Sequence, residues 1–324
     1  MEKSQDYPID RVLFETTEFC ENQCYFCYGD YGPQGKHMSS ERFFLYLKNL
    51  IEADLLAPDS LLILFGGEIL NHPQCLEICR VAAEIKKPTM HLVIITSGKF
   101  RDEFRNQVEE LVDRRGIFHH WEVSIKNIES FQFGIELLER GHEVLFRYDY
   151  LNPTNLKNGI ERFFQHVKSC GIWKEFKRNN PRLEKDLRYA RRSSHFNSDM
   201  VIIEEFFYPD ATGQPRSVGL TFSPLDRSVL RQGGMRAEAQ CSLFHSQYQT
   251  AIHVTRDGNI FPCHLPRFKK KCEPLRNATD LDFLRLYRLK IKEFKDILSE
   301  WQKTQHSESG ICTEGCRGKI SLKS

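Results

Sequence analysis

Between residues 11 and 169, short apolar runs alternate five times with longer stretches whose apolar residues recur at helical spacing. No other feature constrains the fold as much. Residues 11–17, 60–65, 91–96, 118–125 and 143–150 read as strands, and the unbroken apolar run at 60–65 suits one buried on both faces of a parallel sheet. Residues 40–52, 73–86, 101–115, 128–140 and 156–169 read as helices. The first of them is capped by Ser39 or Ser40 and carries Phe43, Phe44, Leu47, Leu50 and Ile51 at helical spacing. Strand-then-helix repeats with short connections predict an α/β fold with a parallel sheet wound in βα units. Ligands of such folds gather at the C-terminal ends of the strands, so polar and glycine signals there carry the functional information.

Beyond Gly171 the rhythm breaks. Residues 173–192 carry eight Lys/Arg against three Asp/Glu, which fits a solvated surface helix or an insertion that docks an acidic peptide or a phosphate. Residues 200–207 and 217–222 read as strands that close the sheet or form a hairpin beside it. Residues 251–254 and 259–261 flank Arg256-Asp257-Gly258, a hairpin signal. Thr279 or Asp280 caps an amphipathic helix with Leu284, Tyr287, Ile291, Phe294 and Leu298 along one stripe.

The 324 residues suffice for one large domain with an appendage, or for two domains, and a 40% hydrophobic content supplies a core. A net charge of +2 points to neither a nucleic-acid partner nor an acidic tail. The first eleven residues hold no apolar signal core, and the best apolar run, 61–65, is too short to cross a membrane, so the chain reads as cytoplasmic. Eleven cysteines in such a chain are not expected to form a disulfide framework. They cluster instead at the two ends, as two metal sites would require.

Cys20, Cys24 and Cys27, at C-x3-C-x2-C spacing, follow the first strand. Three thiolates from one tight loop suit three corners of a 4Fe–4S cluster and leave the fourth iron open to a small molecule. A zinc loop is the alternative, with His37 the local candidate for a fourth ligand. After the second strand comes Gly66-Gly67-Glu68, where two residues without Cβ permit close backbone approach.

The triplet, with Phe26 before its last cysteine, resembles the signature of the radical S-adenosylmethionine (SAM) enzymes. In that family the open iron binds the amino and carboxylate groups of SAM, and one electron cleaves SAM to methionine and a 5′-deoxyadenosyl radical that abstracts hydrogen from substrate. Gly66-Gly67-Glu68 resembles the family's motif for the SAM ammonium, with Ile69 in place of the usual proline. Thr96-Ser97-Gly98 resembles its Thr-Asn-Gly turn near the SAM ribose and carboxylate, Ser97 keeping a hydroxyl where Asn is usual. Ser124 resembles a family serine at the same sheet end. Arg147 is either a ligand of the SAM carboxylate or a surface strand residue. The resemblance implies a partial (βα)5–6 TIM barrel over residues 1–230.

Cys241, Cys263, Cys312 and Cys316 resemble the ligands of the family's C-terminal SPASM and twitch extensions, the shorter twitch type holding one auxiliary 4Fe–4S cluster. This implies a small α+β domain over residues 231–324, with structural zinc on the same four sulfurs as the alternative. Cys272 is a spare ligand, a core residue, or a thiol that donates a hydrogen atom to a product radical. Cys75 and Cys79, one turn apart, read as core, and Cys170 is given no role. The resemblance further implies an external electron donor such as flavodoxin or ferredoxin. Two substrate classes follow from it: a ribosomally made peptide, or a small polyol or aminosugar that is oxidised or epimerised. The second rests on a single-cluster cysteine arrangement similar to that of the aminocyclitol dehydrogenase of butirosin biosynthesis. A non-catalytic zinc or electron-transfer protein is a third reading, which leaves Gly66-Gly67-Glu68 unexplained.

Overall fold

The computed structural model describes residues 9–22, 31–150, 153–185, 187, 202–209, 214–224, 251–261, 274 and 276–289. In chain order the elements are β1 (Ile9–Thr17), α1 (Ser40–Glu52), β2 (Leu56–Gly66), α2 (Cys75–Ile85), β3 (His91–Thr96), α3 (Arg105–Asp113), β4 (His120–Ser124) and α4 (Ile128–Glu139). They continue with β5 (Val144–Tyr150), α5 (Pro153–Ser169), α6 (Trp173–Asn179), β6 (Ile202–Pro209), β7 (Pro215–Pro224), β8 (Ala251–Val254), β9 (Asn259–Phe261) and β10 (Arg276–Asn277). A last helix, α7, covers 281–289. The five βα repeats expected from the sequence are all present in an α/β fold, their helices within a few residues of where apolar spacing placed them; α6 falls in the basic segment read as a solvated helix, and it buries Phe176. Among the described residues no helix is long and apolar enough to cross a membrane.

Two compact units divide the chain, one from Met1–Val93 with Gly233–Ser324, the other from Ile94–Gln232. In the first unit the strand order is β10-β9-β8-β1-β2-β3. β1 pairs in parallel with β2 on one side and with β8 on the other, Leu13 standing between Ile63 and His253. The β1–β2 register jumps from Ile9↔Leu56 to Arg11↔Leu61. Pro58 explains the jump, because proline gives the ladder no donor, so regular pairing begins only at Leu61. Phe14 meets Phe43 of α1 edge-on, with ring centroids 5.0 Å apart, which places α1 on the Phe14 face of β1. Side chains alternate along a strand, so Leu13 and Glu15 occupy the opposite face. Cys75 and Cys79 are fully buried on α2, as the sequence reading held, and burial with a hydrogen bond between the pair pushes the Cys79 thiol well up.

In the second unit the order is β4-β5-β7-β6, with β4 to β5 and β5 to β7 parallel and β6 antiparallel to β7. β6 and β7 thus pair antiparallel, as the hairpin alternative drawn from the sequence required, and β7 also extends the parallel sheet. The core here is aromatic. Phe163 of α5 is fully buried and lies 5.4–6.4 Å, centroid to centroid, from the rings of Phe131, Tyr148, Phe164, Phe176, Phe206 and Phe222. A Phe163→Ala change empties the centre of that cluster and should cost about 3–5 kcal/mol of unfolding free energy. Phe44→Ala, at a side chain 40% exposed on α1, should stay within about 0.5 kcal/mol of wild type. Urea unfolding of both variants checks the contrast.

Candidate functional site

The chain leaving β1 toward the first cysteine is clamped from two sides by backbone. On one side the amide of Glu18 donates to Lys36 O at 2.8 Å, that of Cys20 to Gly32 O at 3.1 Å, and that of Gly32 back to Glu18 O at 3.1 Å. On the other side the amide of Gly67 donates to Thr17 O at 2.8 Å and that of Glu68 to Phe19 O at 2.7 Å. The approach leaves no room for a side chain. A Cβ on Gly66, whose φ is +146°, would lie 2.1 Å from Thr17 O, and one on Gly67 would lie 2.1 Å from Phe19 O and 3.0 Å from Cys20 Cβ. One on Gly35 would lie 2.1 Å from Glu18 O. The sequence reading assigned Gly66 and Gly67 to backbone approach toward a ligand. In the structure the first thing they approach is the arm that carries Cys20.

Cys20 is buried and in no disulfide. It is thus brought together with Gly66, Gly67 and Glu68 at the paired ends of β1 and β2, where Thr17 stands opposite Gly66. Glu68 is 1% exposed, and its Oε1 accepts from the amide of Leu70 at 3.2 Å, capping the short 3-10 turn Ile69–Asn71. Such a cap orients the carboxylate and satisfies a donor at the turn's start. Of the three cysteines Cys20 alone is described, and its sulfur, held in a backbone cradle, is the soft donor type that an iron–sulfur site takes.

Two histidines brace the clamp. His72 Nδ1 accepts from the amide of Gln74 at 2.9 Å, so its proton sits on Nε2, which donates to Met38 O at 2.7 Å. Met38 in turn donates its amide to Thr16 O. Burial, and then the neighbouring His37, hold His72 far below the usual range, at about 4. His37, its own pKa lowered by burial, shares a 2.9 Å hydrogen bond between Nδ1 and the Thr17 hydroxyl and packs against His72 with centroids 4.8 Å apart. The only local zinc candidate of the sequence reading is therefore part of the clamp, through Nδ1.

In the second unit, Thr96-Ser97-Gly98 forms the expected turn. Thr96 Oγ1 accepts from the amide of Gly98 at 2.9 Å, Ser97 Oγ accepts from that of Lys99 at 3.4 Å, and Gly98 has φ +72°. Ser124 ends β4 and stands opposite Arg147 of β5. Arg147 Nη1 donates to Glu122 Oε1 at 2.7 Å, with the two side chains 27% and 15% exposed. Ser124 and Arg147 are therefore neighbours, and Glu122 joins them. Phe26, Cys24, Cys27, Cys241, Cys263, Cys272, Cys312 and Cys316 lie outside the described residues, as do the helix positions Ile291, Phe294 and Leu298. Among the described residues no group of three or more His, Cys, Asp and Glu converges on a metal geometry.

Sequence reasoning passed over Glu15, Tyr31 and His253. Glu15 and His253 are each fully buried, with Glu15 Oε2 3.1 Å from His253 Nε2 and accepting from the Tyr31 hydroxyl at 3.1 Å. The signal was a charged or titratable residue inside an apolar strand, Leu13-Phe14-Glu15 and Ile252-His253-Val254.

No protein-family model and no curated protein sequence matches the chain. Solved structures do. SuiB of Streptococcus suis bound to the precursor peptide SuiA superposes with a TM-score of 0.52 at 12% identity, covering 87% of this chain and 65% of that one. SuiB bound to S-adenosylmethionine gives 0.51 at 11% identity, with 87% and 66% covered. BtrN in complex with AdoMet and 2-DOIA gives 0.48 at 13% identity, with 98% and 95% covered. The likeness is one of fold. The chain spans just under two thirds of the length of SuiB.

Two outcomes test this geometry. Gly67→Ala should drive residues 17–20 off the end of β2 and destabilise the fold by more than about 2 kcal/mol, whereas Gly32→Ala, with nothing within 4 Å of the added carbon, should cost under about 1 kcal/mol. Thermal unfolding of the two variants measures the difference. His72 is neutral in the fold and easier to protonate when unfolded. Its contribution is complete above about pH 6.5 and is lost as pH falls through about 4, at most about 3 kcal/mol in all. His72→Gln keeps a donor for Met38 O without a titrating ring, so its stability should fall less steeply over that window; equal slopes would contradict the assignment.

Proposed function

We propose that the chain is a radical SAM enzyme, with Cys20, Cys24 and Cys27 the ligands of a 4Fe–4S cluster and the strand ends of β1 and β2 the floor of the SAM pocket. The observation that carries this is the clamp of Gly66-Gly67-Glu68 on the Cys20 arm, in which the amides of Gly67 and Glu68 donate to Thr17 O and Phe19 O and so join two segments far apart in sequence. The fold shared with SuiB, solved with S-adenosylmethionine, supports it. Bound there, cluster and SAM would supply the electron and the 5′-deoxyadenosyl radical that removes hydrogen from substrate.

The protein's part is positional. The clamp fixes the main chain of Cys20, and the turn that Glu68 caps holds its carboxylate at the end of β2 for a cationic amine. Phe26, Ser97, Ser124 and Arg147 complete the SAM contacts in this reading, Arg147 with Glu122 on its flank. The substrate is a ribosomally made peptide, for which the fold shared with SuiB in complex with its precursor peptide is the support. Cys241, Cys263, Cys312 and Cys316 hold one auxiliary cluster in a C-terminal twitch-like domain over residues 231–324, appended to a partial barrel over 1–230. Cys272 serves as hydrogen donor to a product radical, and a flavodoxin or ferredoxin delivers the electron in the cytoplasm.

Anaerobic reconstitution should give about eight iron per chain, four for each cluster. With reductant and SAM, the loaded protein should form 5′-deoxyadenosine, and the triple change Cys20→Ala, Cys24→Ala, Cys27→Ala should reduce this to background. Stoichiometric zinc without iron, or cleavage that survives the triple change, would overturn the assignment.

A further inference from the structure

On the face of the first unit's sheet away from α1, the side chains of Leu13, Ile63, Phe65 and Phe261 are apolar and buried. Glu15 and His253 interrupt that surface, both at zero exposure. Oε2 of Glu15 lies 3.1 Å from His253 Nε2 and accepts from the Tyr31 hydroxyl, also at 3.1 Å. A carboxylate removed wholly from water is costly, and an apolar residue in its place is often as stable. Where such a group persists, its best-attested use is to select one arrangement of the elements it joins.

The elements joined here are far apart in sequence. Glu15 is near the end of β1, and Tyr31 opens the segment that returns from the first cysteine loop. His253 sits on β8, 238 residues from Glu15. A second tie runs between the same two regions: Arg256 Nε donates to Glu18 Oε2 at 3.2 Å, two residues before Cys20. β9 ends at Phe261, two residues before Cys263 in the sequence.

We propose that Glu15 is a positioning residue that couples the first cysteine loop to the C-terminal hairpin β8–β9. One oxygen holds the loop's returning arm through Tyr31 and the hairpin through His253, so a disturbance at either is felt at the other. The consequence for SAM rests on the functional reading above; the coupling itself belongs to the chain.

Amide hydrogen exchange on the whole, metal-free chain tests the coupling. The probes are the amides of Cys20 and Gly32, which close the loop's two arms on each other, with the amide of Trp121 in the second unit as internal reference. Tyr31→Phe should speed exchange at Cys20 and Gly32 about ten-fold, the loss of one hydrogen bond to a carboxylate, and leave Trp121 unchanged. His253→Leu, which removes the donor to Glu15, should speed the same two amides from the neighbouring strand. Glu15→Gln, which keeps an oxygen for the Tyr31 hydroxyl, should stay near wild type, whereas Glu15→Ala should not. Unchanged exchange at Cys20 and Gly32 in both Tyr31→Phe and His253→Leu would overturn the proposal. So would equal acceleration in Glu15→Gln and Glu15→Ala. In a second arm, SAM binding to the reconstituted protein should weaken about ten-fold in Tyr31→Phe, with the same conversion from one lost bond. A wild type that binds no SAM would defeat the functional reading, while the exchange data still decide the coupling.

Discussion

Everything proposed for this chain depends on a backbone contact from which side chains are excluded. The arm from Thr17 to Cys20 runs between two strips of main chain, and three glycines line the passage because a methyl group on any of them would stand 2.1 Å from a carbonyl oxygen. Hydrogen bonds of 2.7–3.1 Å close it on both sides. A loop proposed to present three thiolates gains more from such a clamp than from apolar packing. Peptide groups pair at fixed geometry and carry no rotamers, so the main chain of Cys20 is placed before any ligand arrives.

The polar residues around the clamp are its second layer. His72 and His37 pass hydrogen bonds between Met38, Gln74 and Thr17, and burial keeps His72 uncharged near neutral pH. Glu15 gathers Tyr31 and His253 on the opposite side of β1 from α1. Glu15, His72 and His253 are buried, and each is held by a hydrogen bond to another segment, as buried polar groups in native interiors usually are. They join segments that apolar burial alone would leave free to slip. Arg147 and Glu122 form a comparable pair on adjacent strands of the second unit.

Much of this was legible in the sequence where the physics is local. The βα repeats followed from apolar spacing, the cap of α7 from Asp280, whose Oδ1 accepts from the amide of Phe283 at 2.9 Å, and the β8–β9 hairpin from Arg256-Asp257-Gly258. Long-range pairing was not legible. Nothing in Ala251-Ile252-His253-Val254 says that it lies parallel to Arg11-Val12-Leu13-Phe14, because any apolar four-residue strand satisfies the same pattern. The jump of register at Pro58 follows from its missing donor, but nothing in the sequence pairs Ile9 with Leu56. The glycines of the clamp were read for closeness to a ligand, since sequence gives the absence of a Cβ and not the identity of what fills the space.

The central claim is that the clamped Cys20 arm and Gly66-Gly67-Glu68 together present a cluster to SAM. Electron–nuclear double resonance on the reduced, reconstituted protein, with SAM isotopically labelled at its amino nitrogen, tests that claim most directly. The account predicts a resolved coupling between the cluster spin and that nitrogen, as direct coordination at an open iron requires. A cluster whose spectrum is the same with and without labelled SAM would contradict it.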